Sequence, residues 1–349
     1  MSKITVAIIC GGRSSEHEIS CLSAGGVLAG LDTAKFDAVL IGITKEGNWV
    51  LLPNDYPLTI IDGLLPSVNA GAKPLVADVH GFSIDGVALD IDVVFPALHG
   101  PFGEDGTIQG FLEIADIAYV GSGVMASAAA MDKSFSKTVF AAAGMSVADG
   151  IVVTVEDWQS KIANLSYPVF VKPARGGSSR GTSKVKSAAG LEAALRDAFS
   201  FDRKVMIETA IVGREIECAV LESNGTVQAS PVGEIVIDSR FEFYDFEAKY
   251  LDGATTVNLP ADIPKAASDE IRTKAVQAFK ALGCSGLARV DFFYSDKGEV
   301  IINEINTMPG FTSTSMYPKL MAASGVGYSE LITALITTAL TRTNGTLGN

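Results

Sequence analysis

Residues Ala288–Met316 read A-R-V-D-F-F-Y-S-D-K-G-E-V-I-I-N-E-I-N-T-M-P-G-F-T-S-T-S-M. Two β-rich runs, Leu287–Tyr294 and Glu299–Asn303, flank Ser-Asp-Lys-Gly, a hairpin signal in which Gly298 is free to take φ > 0. Arg289 and Asp291 are two apart and share one face of the first strand. The second strand runs into Glu304 and Asn306, again two apart. Asp291, Glu304 and Asn306 thus converge as three hard oxygen donors, a set suited to Mg²⁺ and completed by water and phosphate oxygens. Arg289 sets a fixed positive charge beside them, and the Pro309-Gly310 turn bares backbone N–H groups. The competing reading is a half-buried hairpin with a solvated charged face. Apolar Val290, Phe292, Val300 and Ile302, and an Asn after an acid just before a Pro-Gly turn, favour the metal–phosphate site.

The rest of the chain has to supply that site with partners. Its 349 residues allow two or three domains, and 48% hydrophobic with 19% charged residues is a globular composition. A net charge of −13 speaks against nucleic acid as a partner. No apolar run reaches the roughly 18–20 residues of a membrane-spanning helix. The N-terminal M-S-K-I-T-V-A-I-I-C runs into G-G-R-S-S-E-H-E without an A-x-A site, so it reads as a first β-strand rather than a leader. Cys10, Cys21, Cys218 and Cys284 lack metal spacing and read as small buried hydrophobes in a reduced cytosol.

Lys3–Cys10 has the continuous apolar character of a parallel strand covered on both faces. Gly11-Gly12 turn the chain, and Ser15 with Glu18 forms the capping-box pattern of a helix start. This is the first βα unit of an open parallel sheet, whose ligands bind at the carboxyl ends of the strands. Glu16, in the helix's first turn, either complements the helix dipole or faces a ligand's ammonium group. Phe36–Ile43 and Ile91–Pro96 are further strands, and Thr44–Val87 between them reads as irregular surface insertion without chemistry. The loop Ala97–Gly106 places His99 and Glu104 at a strand's carboxyl end, before a helix from Thr107 to Ala115. His17 and His80 have no such placement and default to the surface.

Ser122–Ala143 reads as one Ala- and Met-rich helix ended by Gly144, with Lys133 either a ligand or a surface lysine. Beyond Ile151–Val155, Thr154 and Asp157 cap a helix over Glu156–Leu165. Pro168–Pro173 is a strand ending in Lys172, followed by a Gly/Ser loop, Ala174–Thr182, and a strand Ser183–Val185. Strand, mobile loop and strand make a flap that can fold over phosphates with backbone N–H groups and the Ser178 and Ser179 hydroxyls, although a surface hairpin has the same composition. Glu208 and Glu215, at the end and start of strands, suit adenosine amide and ribose groups or simple edge charge. Phe243–Leu251 is a polar-aromatic loop, Pro264–Leu282 a helix, and Tyr328–Thr341 a closing helix packing Leu331, Ile332, Leu335, Ile336 and Leu340. Lys133 and Lys172 for nucleotide phosphates, the Gly176–Gly181 flap over them, and the hairpin's oxygen ligands combine into a phosphoryl-transfer array. No Ser-His-Asp order, catalytic Cys, dinucleotide fingerprint or Walker A loop competes with it.

These motifs, taken in order, resemble the D-alanine–D-alanine ligases of the ATP-grasp superfamily. The resemblance runs through Gly11-Gly-Arg-Ser-Ser-Glu-His-Glu-Ile-Ser20, His99-Gly-x-x-Gly-Glu-Asp-Gly-Thr-Ile-Gln-Gly110, Met131-Asp-Lys133 and Val171-Lys-Pro-Ala-Arg-Gly-Gly-Ser-Ser179. It continues through Phe243-Tyr-Asp-Phe-Glu-Ala-Lys-Tyr250 and Arg289-Val-Asp291 to Asn303-Glu-Ile-Asn-Thr-Met-Pro-Gly-Phe-Thr-Ser-x-Ser315.

The resemblance implies an α/β, three-domain ATP-grasp architecture: an N-terminal open parallel domain over 1–125, a central domain with the flap over 126–211, and a C-terminal domain over 212–349. It implies that ATP phosphorylates one D-alanine and that a second D-alanine's amine attacks the acyl phosphate, for peptidoglycan precursor synthesis. Glu16 would then bind the first substrate's ammonium with His99 beside it. Arg289 and the Gly310 N–H would stabilise the oxyanion, and Lys249 and Ser315 would hold the second carboxylate. Tyr250, Ser178 and Glu16 would form a hydrogen-bonded link closing the site, and Tyr250 favours an amine over a hydroxyl nucleophile. The expected cofactor is Mg²⁺, two ions with Mn²⁺ able to substitute, beside ATP as co-substrate. A cytoplasmic homodimer without nucleic-acid or membrane partners is expected. The departure from the family pattern is Gly176, where many relatives carry a bulkier or acidic residue, which would loosen the flap. The rival readings are a ligase for D-serine or D-lactate as second substrate and an inactive nucleotide-binding protein.

Overall fold

Ile4–Gly11 is buried along most of its length and hydrogen-bonds in parallel to Phe36–Ile43 on one side and Val93–Pro96 on the other. A strand with neighbours on both edges and apolar side chains on both faces belongs at the centre of a covered parallel sheet. The computed structural model describes residues 2–69, 71–237 and 255–342. Its first sheet runs in the order Lys73–Pro74, Trp49–Leu52, Phe36–Ile43, Ile4–Gly11, Val93–Pro96, Ala118–Tyr119. The helices His17–Gly30 and Thr107–Ile114 follow the strands ending at Gly11 and Pro96. The Ser20 hydroxyl accepts from the Gly11 N–H at 2.8 Å and donates to the Ala97 carbonyl at 2.6 Å, pinning the carboxyl ends of two strands to one helix.

A second sheet is antiparallel, ordered Gly150–Thr154, Lys204–Thr209, Val169–Pro173, Ser183–Val185, with Leu191–Phe201 packed on it through Leu191, Ala194, Leu195 and Ala198. The third is built on the long strand Gly213–Ser223, which pairs with Gly233–Ile237, Thr226–Ala229 and Leu287–Ser295. Leu287–Ser295 pairs in turn with Val300–Asn306, and Gly298 at their turn has φ +80°. The helix Lys265–Ala281 covers this sheet with Ile271, Ala275, Ala278 and Phe279. The closing helices Met316–Ala323 and Tyr328–Thr341 share one core with the first sheet, so Leu331, Ile332, Leu335 and Ile336 pack in the same cluster as Val6 and Ile8. Leu340, expected on that packing face, is 37% exposed. No single described helix is long and apolar enough to cross a membrane.

Several local expectations are corrected. Thr44–Val87 is not irregular: it supplies Trp49–Leu52 and Lys73–Pro74 to the first sheet and a small sheet of Val76–Asp78, Gly81–Ile84 and Val87–Ala88. Its strands are two to four residues long, too short to show a period. The helix expected from Ser15 begins at His17 with no side-chain cap, and Glu18 pairs with Lys45. The helix expected over Ser122–Ala143 breaks at Asp132 into Val124–Met131 and Lys133–Ala142. Asp132 is extended, and its carboxylate accepts from the N–H groups of Ser134 and Phe135. An Asp offers the backbone that local alternative, and here it caps the second helix. The helix expected over Glu156–Leu165 is only Trp158–Lys161; Asp157 accepts from the Thr154 N–H rather than capping it. His17, expected at the surface, is fully buried: Nδ1 donates to the Gly12 carbonyl at 2.7 Å and Nε2 accepts from the Val68 N–H at 3.0 Å. The four cysteines are free thiols, Cys284 alone being only half-buried.

Candidate active site

The strand register assembles the hairpin's polar face. Arg289 lies opposite Asn306 and Asp291 opposite Glu304, with a bulge after Asp291. The second strand therefore runs past Asn303, where the sequence pattern ended it, and carries Glu304 and Asn306 within the sheet. Two carboxylates directly opposite each other repel unless a cation lies between them. Here Arg289 donates Nε and Nη2 to Asp291 at 2.8 and 2.7 Å, and Lys133 Nζ lies 3.4 Å from Glu304. Asn306 Nδ2 donates to Asp291 Oδ2 at 3.0 Å. A facing carboxylate pair with an amide oxygen in reach fits a divalent cation with hard oxygen preference. Among the described residues no group of three or more His, Cys, Asp or Glu is placed to hold a metal ion, and this set has two carboxylates and one amide. Arg289 also meets Glu217 at 3.1 Å, an acid the sequence reading did not single out.

This face borders a cavity of about 940 Å³ lying among the three sheets. The same cavity is lined by Glu16 and His99 from the first sheet's strand ends, by Lys133, and by Lys172, Ser178, Ser179 and Glu208 from the second sheet. Glu215, Gly310 and Ser315 complete the set, so every described residue proposed from sequence as a ligand faces one space. Lys249 and Tyr250 lie outside the described residues.

The flap reaches across to the first sheet. Ser178 Oγ donates to Glu16 Oε1 at 2.5 Å. Its root is held by Arg175, which makes a bidentate pair with buried Asp202, and by Lys133, which donates to the Gly176 carbonyl at 2.7 Å. A Cβ at Gly177 would come 2.7 Å from Glu16 Oε2, so a side chain there would displace the Glu16 carboxylate. Gly176 has open space around its Cα but φ +144°, which its glycine identity suits.

His99 is buried behind Glu16. Its Nδ1 donates to the Met308 carbonyl at 3.0 Å and its Nε2 lies 2.7 Å from Ser23 Oγ, which in turn accepts from the Phe311 N–H. Burial opposes charge on His99, but the hydrogen bond and charge of Glu104, with the charge of Glu16, outweigh it and hold its pKa above the ordinary value. Burial pushes the Glu104 carboxyl up. Ser23 lies inside an apolar helix, and no sequence signal marked it. Ser315 Oγ accepts from the Thr312 N–H at 3.1 Å, and a Cβ at Gly310 would meet it at 3.2 Å.

On the other wall Glu208 is almost fully buried and pairs with Lys137 at 2.5 Å and Lys172 at 2.6 Å. Burial opposes its ionisation, but the two lysines hold its pKa low. Lys137 was not anticipated, although its four-residue spacing from Lys133 is visible in the sequence.

Residues 5–122 match the sequence model of the D-ala D-ala ligase N-terminus, and residues 139–337 that of the D-ala D-ala ligase C-terminus. The chain belongs to the D-alanine–D-alanine ligase family. A D-alanine–D-alanine ligase of an Arthrobacter species is 51% identical, with 99% of this chain and 96% of that protein covered. One from Mycobacterium leprae is 50% identical, covering 97% of this chain and 94% of that protein. Among solved structures, the VanG D-Ala:D-Ser ligase from Enterococcus faecalis aligns with TM-score 0.86 and 37% identity over 97% of this chain and all of that one. The D-alanine–D-alanine ligase from Coxiella burnetii aligns with TM-score 0.83 and 35% identity over 97% and 94%. The fold is that of the ATP-grasp ligases.

Proposed function

We propose that this member of the D-alanine–D-alanine ligase family joins two D-alanines at the expense of ATP. The observation that carries the reading is one cavity holding two lysines, a glycine-rich flap and three oxygen ligands beside Glu16, His99 and Arg289. Lys133 and Lys172 supply the charge for the nucleotide's phosphates, under a flap whose backbone N–H groups and Ser179 hydroxyl add donors. Glu208 and Glu215 lie on the adenosine side. Glu16 takes the first D-alanine's ammonium, with His99 fixed behind it. That substrate's carboxylate oxygen attacks the γ-phosphorus, the bond to the β-phosphate oxygen breaks, and ADP leaves an acyl phosphate. The second D-alanine's amine attacks the acyl carbon, loses a proton, and inorganic phosphate departs. Arg289 and the Gly310 N–H face the oxyanion that forms between these events. Lys249 and Ser315 hold the second carboxylate, and Tyr250 completes the link through Ser178 to Glu16. Asp291, Glu304 and Asn306 would hold Mg²⁺, or Mn²⁺ in its place, which would supply positive charge for the nucleotide's phosphates.

Three successive units, 1–125, 126–211 and 212–349, carry these parts; the three main sheets fall within them in order. A cytoplasmic homodimer in peptidoglycan precursor synthesis is the matching setting. ADP release measured with ATP, Mg²⁺ and a panel of D-alanine, D-serine and D-lactate tests the reading. D-Alanine alone should support turnover and give the dipeptide. Depsipeptide formation dominating at neutral pH, or no ADP release with D-alanine, would overturn it.

A further inference from the structure

Behind the phosphate wall lies a lysine that this mechanism does not use. Lys137 sits one turn beyond Lys133 on the helix Lys133–Ala142, yet it is outside the set of residues that line the cavity. Its side chain is 6% exposed. Nζ donates to Glu208 Oε1 at 2.5 Å, while Glu208 Oε2 meets Lys172 Nζ at 2.6 Å. Burying an ammonium costs free energy even when it is paired, and a buried charged group replaced whole by apolar side chains of similar volume is often as stable or more so. Burial and the neighbouring Lys172 charge pull the Lys137 pKa down to about 8, against the pull of Glu208. As a counter-ion for buried Glu208, Lys137 is redundant with Lys172, so what the second lysine adds is the charge count of the wall. Lys137, Glu208 and Lys172 together carry one net positive charge next to the space for phosphates. Without Lys137, the Glu208–Lys172 pair is neutral, and the Lys172 ammonium becomes the sole counter-ion of a buried carboxylate.

We propose that Lys137 is a positioning residue for ATP: by sharing Glu208 it keeps the Lys172 ammonium available to, and aimed at, the nucleotide's phosphates. The proposal deepens the functional reading and rests on its assignment of Lys172 as a phosphate ligand.

The test compares K137M, K137Q and K137R with K172M in the full-length chain, measuring ADP release, the KM for ATP, the KM for D-alanine and the melting temperature. Loss of one charge-assisted contact predicts a KM for ATP raised about tenfold or more in K137M and K137Q. The KM for D-alanine should stay near the parental value, and K137R should recover most of the ATP affinity. K137Q keeps a hydrogen-bond donor toward Glu208 without the charge, and it carries the test should K137M not fold. A folded K137Q with the parental KM for ATP overturns the proposal. So do equal rises in both KM values that track a fall in melting temperature, the mark of a purely structural role. If K172M itself leaves the KM for ATP unchanged, the underlying assignment of Lys172 fails. If K172M raises it and K137Q does not, only the role of Lys137 fails.

Discussion

Ser178 Oγ donates to Glu16 Oε1 across 2.5 Å, between residues 162 positions apart in the chain. The contact joins the flap of the second sheet to the helix start of the first. Ser178 and Ser179 have φ of +52° and +55°, a region that costs a side-chain-bearing residue about 1–2 kcal/mol. A hydrogen bond to a carboxylate contributes about 1.5–3 kcal/mol. The flap's conformation is therefore sustained by Glu16, the residue assigned to the substrate's ammonium, so flap position and substrate site are linked through one carboxylate.

Removing the hydroxyl should open that link. S178A and S178G should both lower kcat, by on the order of tenfold or more, with the melting temperature falling by no more than a few degrees. S178G also relieves the left-handed backbone strain. Equal losses in the two variants assign the effect to the hydroxyl, whereas recovery in S178G assigns it to strain. Steady-state kinetics within twofold of the parent for S178A would remove the latch from the mechanism.

Arg289 faces two tasks. It neutralises Asp291 and buried Glu217, and it is assigned to the developing oxyanion. R289A should lower kcat by about 3–4 kcal/mol of transition-state stabilisation, and it should also lower the melting temperature because two carboxylates lose their counter-ion. R289K keeps one charge without the fork that spans both Asp291 oxygens, so it should restore stability more than turnover. Comparable recovery of both quantities in R289K would argue that Arg289 is a charge-balancing residue only.

The site was legible in sequence to the extent that its parts sit at strand ends and alternate along strands. Asp291, Glu304 and Asn306 share a face because the period of a strand is two, and Lys172 closes a strand that enters a glycine-rich loop. The register that sets Asp291 against Glu304 depends on a bulge that no composition signal marks. Asp132 was read through because a capping Asp inside an Ala-rich run looks like one polar residue in a longer helix. His17 and Ser23 were missed for a related reason: their partners, the Val68 N–H and the Phe311 N–H, come from distant segments. A polar residue buried by tertiary contact has no local pattern of its own.

Asn306 provides a test of the oxygen set. N306A leaves Asp291 and Glu304 in place while removing the Asn306 bond to Asp291. Turnover should then require more Mg²⁺, with the apparent Mg²⁺ affinity lowered by about tenfold, and saturating metal should recover much of the parental rate. Chelation should abolish ADP release in both proteins. An unchanged Mg²⁺ titration for N306A would take the residue out of the ligand set.

Acid should weaken the flap's root through Asp202. Its carboxylate accepts from the Arg175 and Lys204 backbone N–H groups and from the Arg175 guanidinium. Burial alone would raise its pKa, but these donors outweigh it and hold the folded-state value below the ordinary carboxylate range. The unfolded chain binds this proton near pH ~3.9 and the folded chain only at lower pH. The stabilisation is therefore fully present above the unfolded value and is lost as pH falls through the folded one. D202N keeps the shape but not the charge. It should melt about 1–3 °C below the parent at pH 7, for a loss of about 1–2 kcal/mol. The gap should narrow below about pH 4, where the unfolded parental chain begins to bind this proton. Because Arg175 directly precedes Gly176, D202N should also raise the KM for ATP at pH 7. A melting gap that stays constant from pH 7 to pH 3 would show that Asp202 contributes through packing rather than through its charge.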